Sequence, residues 1–443
     1  VSDLSAEGEV AADASTGTPA LVDHLFRRHY ARMVAGLTRV FGPAHLDLVE
    51  DVVQDALCKA LNLWPYEGVP ENPGAWLVHV ARRGALDALR RNAMARRKED
   101  DLARWAATQA LQRDDASSRE PHEPLEIRDD RLRMIFTCCH PALAPEARVA
   151  LTLKTSCGFG VGEIARAFLT TDTAIAQRLV RAKRRIQEDA IPFDVPGMTE
   201  LPARLDAVLE VAYLVFNEGY TAGRGADLVR TDLVHEAVRL CELLLESEAT
   251  RLPRVHALLA LMLLQGARLP ARTDDVGEML TLARQDRSLW DAGWMRAGFH
   301  HFERSIAGHE LSAYHVQAAI ACCHASARTY ADTDWGAILA HYDDLQRIAP
   351  SPIVSLNRAV AVAKVHGIEA ALAELDRLSR DASLKQYFLL PATRGRFLWA
   401  RGDREAAAQE LARAIELGGS DPEREFLRRS LERCRAGAEP DAL

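Results

Sequence analysis

The sequence predicts an all-α protein made of several helical modules. Apolar residues recur near the 3.6-residue period in residues 21–97, 129–193 and 198–434. No stretch alternates apolar and polar residues as a half-buried strand would. Clusters of Gly, Pro and Asp cut the periodic stretches into helix-length pieces. The chain has 443 residues, 48% of them apolar and 27% charged, enough for about two to four domains with real cores.

Residues 1–20 hold four acids and no base and read as a disordered tail. They lack the basic and apolar regions of a signal peptide. In residues 21–97, Leu21, Leu25, Tyr30, Met33, Leu37 and Phe41 mark a first helix that Gly42-Pro43 ends. In the next helix Leu48, Val52, Val53, Ala56, Leu57, Ala60 and Leu61 form an apolar stripe, with Glu50, Asp51 and Asp55 largely off it. Pro65, Pro70 and Pro73 mark the following loop, and Asn72-Pro73 can start a third helix. Its inner face is Trp76, Leu77, Val80, Ala81, Ala85, Leu86 and Leu89. Residues 98–128 read as a linker, although a short helix around Trp105 fits the pattern. Residues 129–193 form a second compact unit of four helices, which Pro192 closes. Residues 198–443 are helices separated by short turns. Gly367 with Ala371, and Gly402 with Ala406 35 residues later, form a weak repeat. Small residues at this spacing would let antiparallel helices approach closely in hairpins of tetratricopeptide length.

The segment Val161–Ile186 has helix-turn-helix spacing. Ile164, Ala165 and Phe168 face inward on the first helix, Leu169-Thr170-Thr171 forms the turn, and Thr171 caps the second helix. That helix buries Ile175, Leu179 and Ile186. It presents Thr173, Gln177, Arg178, Arg181, Lys183, Arg184 and Arg185. Gln177 and Arg178 suit base edges, while Arg181, Lys183, Arg184 and Arg185 suit phosphates. The bland alternative is a hairpin with a solvated basic face.

In the first unit, Asp51 and Asp55 share a helix face. No histidine, lysine or serine completes an acid–base site, so an acidic face meeting a basic partner is simpler. Trp76 with Arg82, Arg83, Arg90 and Arg91 suits single-stranded DNA, through stacking and phosphate contact, although Trp76 alone reads as core.

The Leu48–Leu61 helix and NPGAWLVHVARRGALDALRR resemble region 2 of extracytoplasmic-function (ECF) sigma factors. Residues 129–191 resemble their region 4. FTCCHPALAPEARVALTL, EIARAF, AQRLVRAKRRI, LVFNEGY and LNRAVAVA are similar to the subgroup with a long tetratricopeptide-like extension. The resemblance implies a region 2 bundle, a region 4 helix-turn-helix domain and a helical-hairpin extension. It further implies that Asp51, Gln54 and Asp55 dock on the clamp helices of core RNA polymerase. The stretch from Trp76 to Arg91 would help open the downstream promoter element, with a flipped base held around residues 66–76. The helix at 173–186 would read the upstream element while region 4 contacts the polymerase flap. No catalysis, cofactor or membrane is implied, and the expected location is the cytoplasm.

Charge agrees with this reading. The net charge is -8, unlike a protein that coats nucleic acid, yet residues 90–98 and 178–185 each hold five bases and no acid. Cys138-Cys139-His140 and Cys322-Cys323-His324 tempt a zinc reading, but neither has a nearby C-x₂-C partner, so buried thiols and no metal site are expected. In the extension, Asn217, Glu218, Tyr220, Arg230, Asp232, Asn357 and Arg358 would form either a polar network or a groove for an unknown peptide or small-molecule regulator. By resemblance the extension regulates activity, through intramolecular contacts that clamp or brace the sigma regions. The rival reading is a one-component helix-turn-helix regulator with a helical ligand- or peptide-sensing domain. It leaves residues 21–93 without a role.

Overall fold

A computed structural model describes residues 18–96, 124–168, 170–197, 199–220, 229–274 and 278–440. The helix expected around Trp105, most of the N-terminal tail and the turn TAGRGAD lie outside these residues. The described regular elements are helical, apart from an isolated bridge between Thr273 and Met279. None of these helices is long and apolar enough to cross a membrane. The chain divides into two compact units.

The first unit holds α1 (Thr18–Phe41), α2 (Leu46–Glu67) and α3 (Pro73–Arg96), then α4 (Pro124–Cys138), α5 (Pro145–Thr155), α6 (Val161–Ala167), α7 (Asp172–Glu188) and the first half of α8 (Leu201–Tyr220). Val34, Val49, Val53, Ala56, Ala60, Leu77, Ala81 and Ala85 form the core where α1, α2 and α3 meet. α1 also packs against α4 and α5. Arg39 bridges to Asp130 at 3.2 Å, and Lys154 lies 5.8 Å from the centre of the Tyr30 ring. Arg204 of α8 is 5% exposed and donates to the Phe136 carbonyl at 2.9 Å, which ties α8 to α4.

Three expectations need correction. Pro65 lies inside the last turn of α2 instead of in a loop, where its missing N–H costs the helix only the one bond to the Leu61 carbonyl. Leu61 is 39% exposed. Glu50 is 6% exposed, because it follows Leu46 by four residues and precedes Val53 by three, on the buried side of the helix.

The second unit continues from the end of α8 through α9 (Thr231–Glu246), α10 (Pro253–Gly266), α11 (Ala292–Ser305), α12 (Ala313–Ser326), α13 (Trp335–Ile348), α14 (Pro352–His366), α15 (Ile368–Leu378), α16 (Leu389–Arg401), α17 (Arg404–Leu417) and α18 (Asp421–Arg435). From α9 onward each helix packs on its sequence neighbour, and α10 packs also on α12. α10 is buried nearly all round, as its run ALLALMLL requires. From α12 to α18 one continuous core forms, including Ile338, Leu356, Ala371, Leu375, Phe397 and Leu411.

The repeat shows itself through charges as well. Arg358 of α14 bridges Asp343 of α13 (2.7 Å) and Glu374 of α15 (2.8 Å). Thirty-six residues on, Arg394 of α16 bridges Asp376 of α15 (2.8 Å) and Glu410 of α17 (2.5 Å). Gly367 and Gly402 take φ of 90° and 97° in the turns between helices, so they serve as turn residues and not as the close-approach points expected of them.

The close approaches lie elsewhere. A Cβ on Gly298 of α11 would fall 2.7 Å from Leu264 Cγ and 3.3 Å from the Leu264 backbone nitrogen. Gly298→Ala is therefore expected to cost about 1–3 kcal/mol in strain, against roughly 0.5–1 kcal/mol gained from helix propensity. Thermal unfolding of the full chain checks this. A rise in the second unit's transition temperature would mean that Leu264 yields freely.

Candidate nucleic-acid and polymerase interfaces

The helix-turn-helix is assembled from local signals. Glu163 Oε2 accepts from the Gly160 N–H at 2.7 Å and closes the N-terminus of α6. Thr171 Oγ1 accepts from the Ala174 N–H at 3.1 Å and caps α7, with Asp172 in the first turn where the helix dipole favours it. Ile164 and Ala165 of α6 are buried, while Phe168 is partly exposed. Ile175, Leu179, Ala182 and Ile186 bury the back of α7.

The opposite face of α7 is open. Thr173, Gln177, Arg181, Arg184 and Arg185 are exposed and Arg178 is half-buried. Arg184 pairs with Glu188 at 2.7 Å and Arg185 with Asp189 at 2.6 Å, both exposed pairs of the kind that contributes about 0.3–0.5 kcal/mol. Such weak pairs leave these guanidinium groups available to phosphate.

Lys183 behaves differently. It points from the flank of α7 to α2, and its side chain is 11% exposed. Its Nζ donates to Asp47 Oδ1 at 2.7 Å and to Glu50 Oε2 at 2.6 Å. Burial opposes the lysine charge, but Glu50 and Asp47 more than reverse this and raise its pKa. Burial raises the pKa of Glu50, which Lys183 offsets in part. In this arrangement the Lys183 ammonium is occupied by carboxylates. Asp47 and Glu50 are the contact residues that charge patterning missed; the position of Glu50 beside Leu46 and Val53 was the available signal.

On α2, Asp51, Gln54 and Asp55 are exposed together at helical spacing on one face. On α3, Arg82, Arg83, Arg90 and Arg91 are exposed. Asn72 Oδ1 caps this helix by accepting from the Ala75 N–H at 3.0 Å. Trp76 is half-buried, edge-on to the buried Trp64 with ring centres 5.5 Å apart, so one side of it packs as core and the other is reachable.

Cys138, the last residue of α4, and Cys139 beside it both face α5. Cys138 Sγ lies 3.0 Å from Thr155 Oγ1 and Cys139 Sγ 3.4 Å from Thr152 Oγ1. Burial pushes Cys139 up to about 12 and Cys138 higher still, which disfavours the thiolate a metal would need. Among the described residues no three His, Cys, Asp or Glu side chains are grouped to hold a metal ion.

The residues singled out in the extension fall into separate networks. Arg230 pairs with Asp232 at 3.3 Å, and its backbone N–H donates to the Gly219 carbonyl at 2.7 Å. Tyr220 stacks on Phe216, under the Arg272 guanidinium 4.2 Å from its ring centre. Asn217 lies half-buried beside Tyr213, on the same helix as Glu218. Arg358 belongs instead to the ion-pair ladder of α13, α14 and α15, with Asn357 next to it on α14.

Comparison with known proteins agrees with this division. Residues 25–94 match the Sigma-70 region 2 family and residues 133–186 match Sigma-70 region 4. The chain therefore carries regions 2 and 4 of the sigma-70 family, in that order. It carries an additional C-terminal helical domain, whose residues 204–306 match a family of unknown function, DUF6596. An uncharacterized protein of Rhizobium meliloti is 38% identical over 392 residues, which cover 88% of this chain and 91% of that relative. A protein named "Probable ECF RNA polymerase sigma factor SigI", from two strains of Mycobacterium tuberculosis, is 28% identical over 201 residues, covering 43% of this chain and 66% of that protein. No solved structure matches. Region 2 of the sigma factor is thus α1–α3 and region 4 is α4–α7. As a sigma factor the protein acts in transcription and is not an enzyme.

Proposed function

We propose that the protein binds core RNA polymerase and directs promoter-specific initiation in the cytoplasm, and that its C-terminal extension regulates this activity. The observation that carries the reading is the exposed polar and basic face of α7, backed by four buried residues and capped by Thr171. Gln177 and Arg178 near its N-terminal half would read base edges of the upstream element. Arg181, Arg184 and Arg185 would hold phosphates. Trp76 with Arg82, Arg83, Arg90 and Arg91 would engage the downstream element as it opens. The exposed Asp51, Gln54 and Asp55 would meet the clamp helices of the polymerase, and region 4 its flap. Lys183 would reach phosphate once released from Asp47 and Glu50, so the arrangement described here corresponds to a resting form.

Reconstituted transcription tests the proposal. Full-length protein with core polymerase is expected to initiate from specific promoters. In the assembled holoenzyme, Arg184→Ala should weaken binding to all promoters and lower the salt slope by about 1, whereas Arg178→Ala should change base preference by about 1–3 kcal/mol. Footprints on DNA without polymerase, together with no promoter-specific initiation with it, would favour the one-component regulator instead.

A further inference from the structure

Several arginines of the second unit pair with carboxylates. Arg254 meets Glu310 at 2.7 Å, and Arg358 and Arg394 each bridge two acids. One cluster departs from this habit. The guanidinium groups of Arg268 and Arg287 both lie over the ring of Trp290, at 5.6 and 4.5 Å from its centre. Lys364 Nζ lies 4.7 Å from the ring centre of Tyr330 and 5.5 Å from that of Trp335. His324 joins the two halves. Its ring meets Trp335 edge-on at 5.4 Å, and its carbonyl accepts from Arg287 Nη1 at 2.6 Å.

Arg268, Arg287 and Lys364 have no carboxylate within salt-bridge distance among the described residues. Asp332, the acid that acts on Arg287 from farther away, accepts from the Thr329 N–H and hydroxyl at 3.1 and 2.8 Å. Three buried polar atoms of the cluster also lack a partner: Arg287 Nη2, Trp290 Nε1 and His324 Nδ1. Two of these carry donor hydrogens, and Trp290 is 7% exposed. Buried unsatisfied donors are uncommon, and a bound ion or water is one way to satisfy them. The like charges also oppose one another: Arg268 disfavours charge on both Arg287 and His324. Half-buried cations without counter-charge cost free energy unless an anion supplies it.

We infer that this cluster is a binding site for a small oxyanion-bearing ligand, phosphate or carboxylate, held between the Arg268–Arg287 pair and Lys364. Planar guanidinium groups match either oxyanion in a bidentate fork, and partial burial strengthens the contact. The aromatic rings hold the cations in place through cation–π contact before the ligand arrives. Residues from α12, α14 and the segments after α10 contribute together, so occupancy would brace helices far apart in sequence. The site does not depend on the sigma-factor reading, because binding can be measured without polymerase or DNA.

The experiment uses the full chain. Inorganic phosphate and a dicarboxylate such as succinate are titrated at constant ionic strength against chloride, following tryptophan fluorescence and the thermal transition. A saturable change with one or both oxyanions is expected, and the stronger responder identifies the ligand class. Arg268→Gln and Lys364→Gln should each weaken it at least about tenfold. Arg428→Gln, at an exposed ion pair on α18, should leave it unchanged. These variants spare Arg287, whose bonds to the carbonyls of His324 and Ala327 support the fold. No saturable response to either oxyanion overturns the proposal. So does a response that persists undiminished in both glutamine variants, since general salting effects act on them alike.

Discussion

Lys183→Met is expected to destabilise the packing of α2 against α7 by about 3–5 kcal/mol, because it leaves the Glu50 carboxylate buried without its cation. An exposed ion pair would cost less than about 1 kcal/mol, so the magnitude separates the two cases. Native-state hydrogen exchange is the suitable measurement. Amide protection in α2 and α7 should fall by roughly 10²–10³-fold, while α10 in the second unit keeps its protection. Glu50→Gln in the same chain should recover much of the loss, since a neutral amide has a smaller desolvation penalty. The defect also has a sign in pH. Without Lys183, burial and then Asp47 raise the pKa of Glu50 further above its ordinary 4.5, opposed only by the more distant Lys154. A carboxyl raised in the folded state favours folding below its unfolded pKa and loses that contribution as pH rises. The variant should therefore come closest to wild type near pH 4.5 and fall away toward neutrality. A loss under about 1 kcal/mol, constant in pH, would show that the contact is an ordinary surface pair.

What could be read in the sequence was what is decided locally. The Thr171 cap, the Asn72 cap, and the inward Ile175, Leu179 and Ile186 follow from residue chemistry within one or two helical turns. Other polar residues of the extension had local answers too. Asp291 caps α11 by accepting from the Trp294 N–H at 2.9 Å, and Asp334 caps α13 by accepting from the Ala337 N–H at 2.8 Å. The charge of Glu50 points to solvent, but its position one turn from Leu46 and Val53 buries it. Lys183 was grouped with its basic neighbours because its partners lie 133 and 136 residues away. The cluster of Arg268, Arg287 and Lys364 was hidden for the same reason. Each cation is unremarkable in its own helix or turn, and the shortage of acids appears only when helices distant in sequence are packed together.

Acidification should loosen the second unit well before its carboxylates protonate. His324 is held down to about 4 by burial and then by Arg268 and Arg287. His301 is held down to about 4 by burial and then by His256, His300 and Arg304; its Nδ1 lies 2.9 Å from His256 Nδ1, where one shared proton fits and two charges do not. A histidine with a folded pKa below its ordinary 6.5 binds fewer protons folded than unfolded between those values. Stability therefore falls as pH drops from 7 to 4, by up to about 1.4 kcal/mol per pH unit for each such group. Between pH 7.5 and 5, His324 alone accounts for about 2 kcal/mol, and the more exposed His301 for less after solvent screening. Urea unfolding of the full chain in chloride buffers, with separate probes of each unit, measures this. His324→Gln should flatten the pH slope of the second unit's transition and leave that of the first unit unchanged. His301→Gln should flatten it by a smaller amount. If both variants keep the wild-type slope, these histidines are not what makes the unit acid-sensitive.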